Sequence, residues 1–202
     1  WKDAVAFVDY APYPPSYEAA ASFIASPIFD GDKKVGVAMF QMPISRINDI
    51  LAERTGLGES GETYAVGSDH LFRNESRFLD QLQVETSIIN PEIRVDTEPV
   101  LSALTRGESG TAITTDYRGG EVLSSWQPLT VAIDAEGVAS ARQWALMSDI
   151  QLTEVRRPVN QIAFYSTVIC VLTAILVLSI SYRFSQQFNR EAVRQAALVH
   201  GI

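Results

Sequence analysis

Cysteine is nearly absent from this chain. Its one thiol, Cys170, lies inside a long apolar run, so no disulfide staples the rest, and whatever folds there is held by its own core. A stretch of about 150 residues is long enough for that. Histidine is almost as scarce: His70 and His200 fall on opposite sides of the apolar run and share no metal. There is no Cys/His cluster and no Gly-x-Ser-x-Gly elbow, so the sequence offers neither a metal centre nor a serine nucleophile and implies no cofactor. Basic residues are outnumbered, 16 Lys and Arg against 24 Asp and Glu for a net charge of −8. That balance argues against nucleic acid as a partner, because binding it requires cations to neutralise phosphates. Charge of either sign is missing altogether between Arg157 and Arg183.

That uncharged interval holds Gln161–Tyr182, QIAFYSTVICVLTAILVLSISY. About 20 apolar residues at a 1.5 Å rise cross the hydrocarbon core of a bilayer, and this segment has that length. Its polar members are hydroxyls, which bond back to helix carbonyls at little cost in lipid. Tyr165 and Tyr182 stand near its ends, where amphipathic rings favour the interface. The alternatives are the buried helix of a soluble domain and a signal peptide, and the second is disfavoured by position. Lys and Arg up to Tyr182 number 13 against 23 Asp and Glu, giving −10; the remainder has three Arg and one Glu, giving +2. Positive flanks stay in the cytoplasm, which places Arg183, Arg190 and Arg194 inside and the acidic part outside, although Arg156 and Arg157 count the other way. An outer part needs an export signal, and none precedes Trp1, so the chain is expected to be a piece of a longer protein.

Along the outer part, short strand-forming runs alternate with turn signals. Ala4–Asp9, Ala19–Phe29 and Lys34–Met42 read as strands, the last two joined by a turn at Asp30-Gly31-Asp32. Ile44–Arg54 switches to helical spacing, with Ser45 as the expected N-cap. Glu62–Val66 and Leu71–Asn74 read as strands around a turn, Ser76–Thr86 has no single period, and Asp96–Leu104 reads as a helix capped by Asp96 or Thr97. Thr111–Tyr117, Glu121–Leu129 and Gln143–Ile150 are three further strands, with a polar link over 132–141. Gln151–Gln161 leads helically into the span, with Pro158 as a potential kink. The tail Arg183–Ile202 is expected to continue as helix. This order fits a small α+β domain around one antiparallel sheet. A strand–strand–helix ending also occurs twice, at 25–48 and at 124–158, the second time feeding the span.

Gly56-Leu-Gly-Glu-Ser-Gly61 matches G-x-G-x-x-G in form. The dinucleotide fingerprint needs a strand before it and a helix after it. Here the order is reversed and Glu59 would face the phosphates, so the nucleotide reading is rejected. Glu59 and Glu62 form a close carboxylate pair, read as solvated turn residues rather than as a catalytic acid and base.

Several stretches share an order and spacing: Phe7-Val-Asp-Tyr with Tyr13-Pro-Pro-Ser16, Phe23-Ile-Ala-Ser-Pro-Ile28, Gly56–Gly67, Phe72-Arg-Asn-Glu-Ser-Arg-Phe78 and Asp116-Tyr-Arg-Gly119. In these the sequence over about 4–154 resembles double Cache sensor domains, the PAS-like extracytoplasmic modules of bacterial chemoreceptors, sensor kinases and membrane cyclases. The resemblance implies that 1–42 are the C-terminal strands of a membrane-distal module and 43–150 a membrane-proximal Cache module with a central antiparallel sheet. On the same reading 151–182 are the connecting and transmembrane helix, and 183–202 a cytoplasmic juxtamembrane helix. It further implies a homodimer in the bacterial inner membrane with residues 1–158 outside, and a small-molecule ligand of the amino acid, organic acid or amine class. The resemblance also leads one to expect a cytoplasmic output domain beyond this sequence, and no enzyme within it. The sequence departs from the family at Asp69-His70, where Asp-Gly is common, at Asn74-Glu75, and in the long link at 132–141.

Candidate ligand-binding residues are Tyr64, Arg73, Asp116, Tyr117, Arg118 and Trp126, at strand ends, with Asp9 and Tyr13 lining the distal module in the resemblance. An Arg forks a carboxylate, an Asp holds an amine and aromatics wall a site. The plainer reading, preferred on composition, is that Asp116-Tyr117-Arg118-Gly119-Gly120 is a hairpin turn with its own ion pair. Against a sensor stand two other classes: a membrane-anchored binding or adhesion module without output, and an extracytoplasmic enzyme, for which no catalytic set exists.

Overall fold

A computed structural model describes residues 5–132 and 142–199. The polar link at 132–141 falls, apart from Ala132, outside the described residues, as does the end of the tail. The chain divides into two units, Trp1–Val155 and Arg156–Ile202.

The first unit holds two antiparallel sheets. β1 (Ala6–Tyr13), β2 (Ala19–Asp30) and β3 (Lys33–Met42) form a three-stranded sheet in that order. The β1–β2 connection is a 3₁₀ turn at Pro14–Ser16, where two prolines preset φ, followed by Tyr17 and Glu18 in the left-handed region. The β2–β3 hairpin closes with Asp30 opposite Lys33, Gly31 supplying φ 59 as the turn demands. This sheet leaves Val35, Val37, Met39 and Phe40 of β3 exposed.

α1 (Ile44–Leu51) follows, three residues shorter than its periodicity implied, and its cap residue is Pro43 rather than Ser45. Next come β4 (Glu62–Val66), two single-turn helices, α2 (Leu79–Leu82) and α3 (Glu98–Leu101), and a π-helical turn at Ser102–Arg106. β5 (Gly110–Thr115), β6 (Glu121–Ala132) and β7 (Arg142–Gln151) join β4 in a second sheet of order β4-β7-β6-β5. Leu71–Asn74 is not the strand its composition suggested. Phe72 makes single bridges to Val66 and Ile88, and the segment around it turns back over the sheet. The expected mixed α+β fold with central antiparallel pairing is present.

Alternation sorts the second sheet into two buried faces. Tyr64, Val66, Val122, Ala145 and Met147 point one way, towards Phe72, Ile93, Val95, Val100 and Ala103 from the crossing segment. Ala65 and Trp144 point the other way, packed against Tyr10 and Phe7 of β1 and Ile44, Ile47 and Leu51 of α1. Each large apolar side chain removed from water on these faces contributes about 1.5–3 kcal/mol, which is how the fold manages without disulfides.

β7 passes without an intervening residue into α4 (Leu152–Val199), a continuous 48-residue helix that includes Pro158. Within the second unit the helix carries exposed apolar side chains on all sides, among them Ile162, Phe164, Ile169, Leu172, Ile175, Leu178 and Ile180. Thr167 Oγ1 donates to the Ala163 carbonyl and Thr173 Oγ1 to that of Ile169, each at 2.9 Å, so the hydroxyls are satisfied inside the helix as expected. Among the described residues this is the one helix long and apolar enough to cross a membrane.

Candidate functional site

Two groups of polar side chains sit on opposite faces of the second sheet. On the outer face Arg73 binds Asp9 through a fork, Nε to Oδ1 and Nη2 to Oδ2, each 3.0 Å. Its Nη2 also reaches Asp69 Oδ1 at 2.9 Å, and its Nη1 donates to the Leu71 carbonyl. Trp144 Nε1 donates to the same Asp9 carboxylate at 3.2 Å. Burial works against the guanidinium charge, but the bonds to Asp9 and Asp69 outweigh it and leave its pKa above the ordinary value. Gly67 makes this possible, since a Cβ there would fall within the guanidinium. The turn beside it, Gly67–Leu71, places His70 at φ 65 where Gly is common, and Leu71 N is capped by Asp69 Oδ1. Arg73 and Asp9 thus join β1 of the first sheet to the β4 turn of the second. Tyr13 stands apart from them, edge-on to Phe23 at 5.1 Å.

The inner face is where polar groups lie deepest. Register places Glu62, Asp149 and Ser124 directly across β4, β7 and β6, and Tyr64, Met147 and Trp126 in the next row. Glu62 is buried and fully bonded, which corrects its reading as a solvated turn carboxylate. Ser76 Oγ and Arg77 N donate to its Oε1 at 2.7 and 2.8 Å, and Tyr117 Oη to its Oε2 at 2.6 Å. A cavity of about 160 Å³ opens beside it at the β4 edge, lined also by Leu51, Glu75 and Arg77. Tyr64 Oη donates to Asp149 Oδ2 at 2.7 Å. Burial, then the neighbouring acid, pushes the Tyr64 phenol well up; burial and Glu62 do the same for Tyr117. Asp149 is 3% exposed, and its pKa is raised by burial first and by the Asp116 and Glu62 carboxylates, against the opposing pull of Tyr64 and the nearby Ser124 hydroxyl. Yet Asp149 Oδ1 and Ser124 Oγ make no hydrogen bond of good geometry, nor do Trp126 Nε1 and Arg118 Nη1.

The turn after β5 is the hairpin that composition favoured. Asp116 accepts from the backbone of Arg118 and Gly120 and pairs with Arg118 Nη2 at 2.7 Å. The Arg118 guanidinium lies 3.8 Å above the Phe78 ring. The structure therefore brings Tyr64, Asp116, Tyr117, Arg118 and Trp126 together on the inner face and sets Arg73, Asp9 and Tyr13 elsewhere. Asp149 and Ser124 were not singled out by sequence. The period-2 alternation of Ala145, Met147 and Asp149 was the signal that turns this acid inward.

The glycine loop has a different occupant from a phosphate. Glu154, in the first turn of α4, accepts from the backbone N–H groups of Glu59 and Ser60, both at 2.8 Å, and from Ser60 Oγ. The loop is an anion-binding nest filled by the chain's own carboxylate.

No family model and no curated protein matches this chain. Solved structures do. The periplasmic sensory domain of the Campylobacter jejuni chemoreceptor Tlp1 aligns with a TM-score of 0.55 at 16% identity, over 77% of this chain and 52% of that one. The ligand-binding domain of Pseudomonas aeruginosa PctB, solved with L-Arg, aligns at 0.45 and 16%, over 75% and 56%. That of PctC, solved with GABA, aligns at 0.46 and 14%, over 74% and 57%. The chain spans about half the length of the sensory domains it matches. It has the fold of a periplasmic chemoreceptor sensory domain, in agreement with the Cache-like resemblance carried by its sequence.

Proposed function

We propose that this chain is the extracytoplasmic ligand-sensing region of a bacterial transmembrane receptor, together with the helix that carries its signal inward. The observation behind this reading is one of connectivity. β7, a central strand of the sensory sheet, bears the buried Asp149 and runs without a break into a helix apolar enough to span a bilayer. On this reading residues 43–150 are a membrane-proximal module, 1–42 are strands of a distal one, and 183–202 lie in the cytoplasm of a homodimer in the inner membrane. The ligand is a small molecule held on the inner face by Tyr64, Asp116, Tyr117, Arg118 and Trp126 with Asp149 and Ser124. Arg73 and Asp9 brace the two sheets rather than touching it.

Thermal unfolding of the full chain in detergent, against amino acids, organic acids, amines and purines, tests the reading. A ligand selective for the folded form at 100 times its Kd adds about 2.7 kcal/mol, which moves the melting temperature visibly. A hit that Tyr117→Phe or Ser124→Ala weakens supports the site. No shift across the panel overturns it.

A further inference from the structure

Acidic and basic side chains both line the cavity of about 160 Å³ at the β4 edge, and the two kinds differ in what they bond. The carboxylates have donors of their own. Glu62 takes Ser76, the Arg77 backbone and Tyr117. Glu75 takes the Thr86 hydroxyl on one oxygen and the Ser87 backbone and hydroxyl on the other. Glu53 turns back on its own chain, where the Thr55 hydroxyl and the N–H groups of Thr55 and Arg54 hold its carboxyl below the usual range. The guanidiniums of Arg54 and Arg77 have no carboxylate. Among the described residues that of Arg54, exposed beside the cavity, makes no hydrogen bond or ion pair. That of Arg77 gives one N–H, from Nη1, to the Gly61 carbonyl and lies 5.3 Å from the Phe78 ring. Each guanidinium carries five N–H donors in a fork that matches a carboxylate. Leu51 and Leu57, both half-buried, supply the apolar part of the wall. About five water molecules would fill the space, which suits an acid of the size of propionate or butyrate.

We propose that this cavity binds a short aliphatic carboxylate, its oxygens taken by Arg54 and Arg77 and its hydrocarbon chain laid against Leu51 and Leu57. The acids of the wall leave those two cations to the ligand, because their lone pairs already face donors on their own segments. They also set a limit on its charge: a second carboxylate on the ligand would lie beside Glu62 and be repelled. None of the residues assigned to the inner face lines this cavity, so the site is a second one and stands independently of the first. Its floor is rigid, since the loop closes so tightly that a Cβ on Gly61 would strike the Leu57 carbonyl. Leu57 and Gly61 belong to the loop whose N–H groups hold Glu154, so the occupant rests against the anchor of α4.

The test titrates propionate and butyrate into the full chain in detergent micelles. Propionamide, propylamine and succinate serve as the neutral, cationic and doubly charged counterparts. Binding is read by calorimetry and by melting temperature. The expected result is binding of at least one of the two acids and none of the other three probes. Arg54→Gln removes charge from an exposed side chain without a partner, so the free protein should melt as wild type does. Its affinity for the acid should fall about tenfold, the equivalent of one charge-assisted hydrogen bond. Ala52→Phe, at the exposed C-cap of α1, should fill the space and abolish binding. Should that variant fold poorly, Arg54→Gln still carries the test. An acid that binds both variants as tightly as wild type sits elsewhere and overturns the assignment. Equal binding of propionamide overturns it too, because the cavity would then select shape and not charge. A flat response from both acids at about ten times a millimolar Kd has the same force.

Discussion

Glu154 ties the first turn of α4 to the glycine loop before β4, and removing it gives a sharp energetic test. Glu154→Ala deletes three hydrogen bonds, to Glu59 N, Ser60 N and Ser60 Oγ. Bonds to a charged acceptor contribute about 1.5–3 kcal/mol each when shielded, but this loop lies at the surface, where water takes over the freed N–H groups. A net value of about 1 kcal/mol each gives about 3 kcal/mol in total. For a unit of this size that lowers the melting temperature by about 6–12 °C. Gly58→Ala strikes the same contact from the other side. Gly58 sits at φ 64, and a Cβ there would fall inside the Glu154 carboxylate. The substitution therefore adds a left-handed backbone cost of about 1–2 kcal/mol and also evicts Glu154 from its nest. Once Glu154 is already alanine, the backbone cost alone remains. The double variant should thus be about as stable as Gly58→Ala alone, with a coupling energy of about 2–3 kcal/mol. Urea unfolding of the four proteins, followed by tryptophan fluorescence, measures it. Additivity within about 0.5 kcal/mol would show that the carboxylate and the loop do not depend on each other.

Arg73→Ala should cost about 3–5 kcal/mol in urea unfolding, because Asp9, 14% exposed, is left with a buried charge. Arg73→Lys should recover only part of it, since one ammonium cannot fork Asp9 while holding Asp69 and Leu71; a loss below 1 kcal/mol refutes the brace. Asp149→Asn should stabilise the protein at neutral pH. The folded pKa of Asp149 is raised, so its contribution to stability is fully present below the unfolded value and is lost as pH rises through the folded one. The advantage of the variant must therefore shrink on acidification, and an advantage that grows towards acid would contradict the burial of the charge. Gly110→Ala drives a Cβ into the Trp126 indole and should unfold the β5–β6 edge, with an altered Trp emission, whereas Gly120→Ala, 3.6 Å from its nearest neighbour, should leave that emission as it is.

Local chemistry was legible in the sequence and long-range pairing was not. The span, the Asp30-Gly31 hairpin and the strands of both sheets announce themselves through apolar length, turn residues and period-2 alternation. The Asp116 turn was read correctly because its partners lie within four residues. Arg73 was a candidate for its chemical type and Asp9 through the resemblance, and the two meet each other across 64 positions. No local pattern encodes that meeting. Glu62 shows the same limit in reverse: beside a glycine loop it reads as surface, and only the return of Ser76, Arg77 and Tyr117 over β4 buries it. Leu71–Asn74 has strand composition, but beside the edge strand β4 it makes only the single bridge from Phe72 to Val66 and the bond from Arg73 N to the Ala65 carbonyl. The left-handed turn at His70 brings it back over the sheet, and Phe72 bridges on to Ile88 instead of extending a ladder.

One stretch of six residues, 149–154, links the inner face to the helix. Asp149 is on β7; two residues later the backbone N–H of Gln151 donates to Ser60 Oγ at 3.1 Å, and three residues after that Glu154 fills the nest that contains Ser60. The strand, the loop and the first helical turn are therefore fixed to one another at consecutive points. A ligand shifts such an element only by as much as it prefers one arrangement over the other. Asp149 supplies a basis for preference, because its charge is costly when unpartnered and favourable when met by a cation. Its strand has no loop in which a displacement would be absorbed before α4 begins. The energetics of the site and the continuity of the chain thus converge on the same six residues, 149–154, with Gln151 anchored to Ser60 among them. On the proposed sensor reading, a shift at Asp149 reaches α4 only while Glu154 keeps its hold on the loop, and the double-variant cycle at Gly58 measures that hold directly.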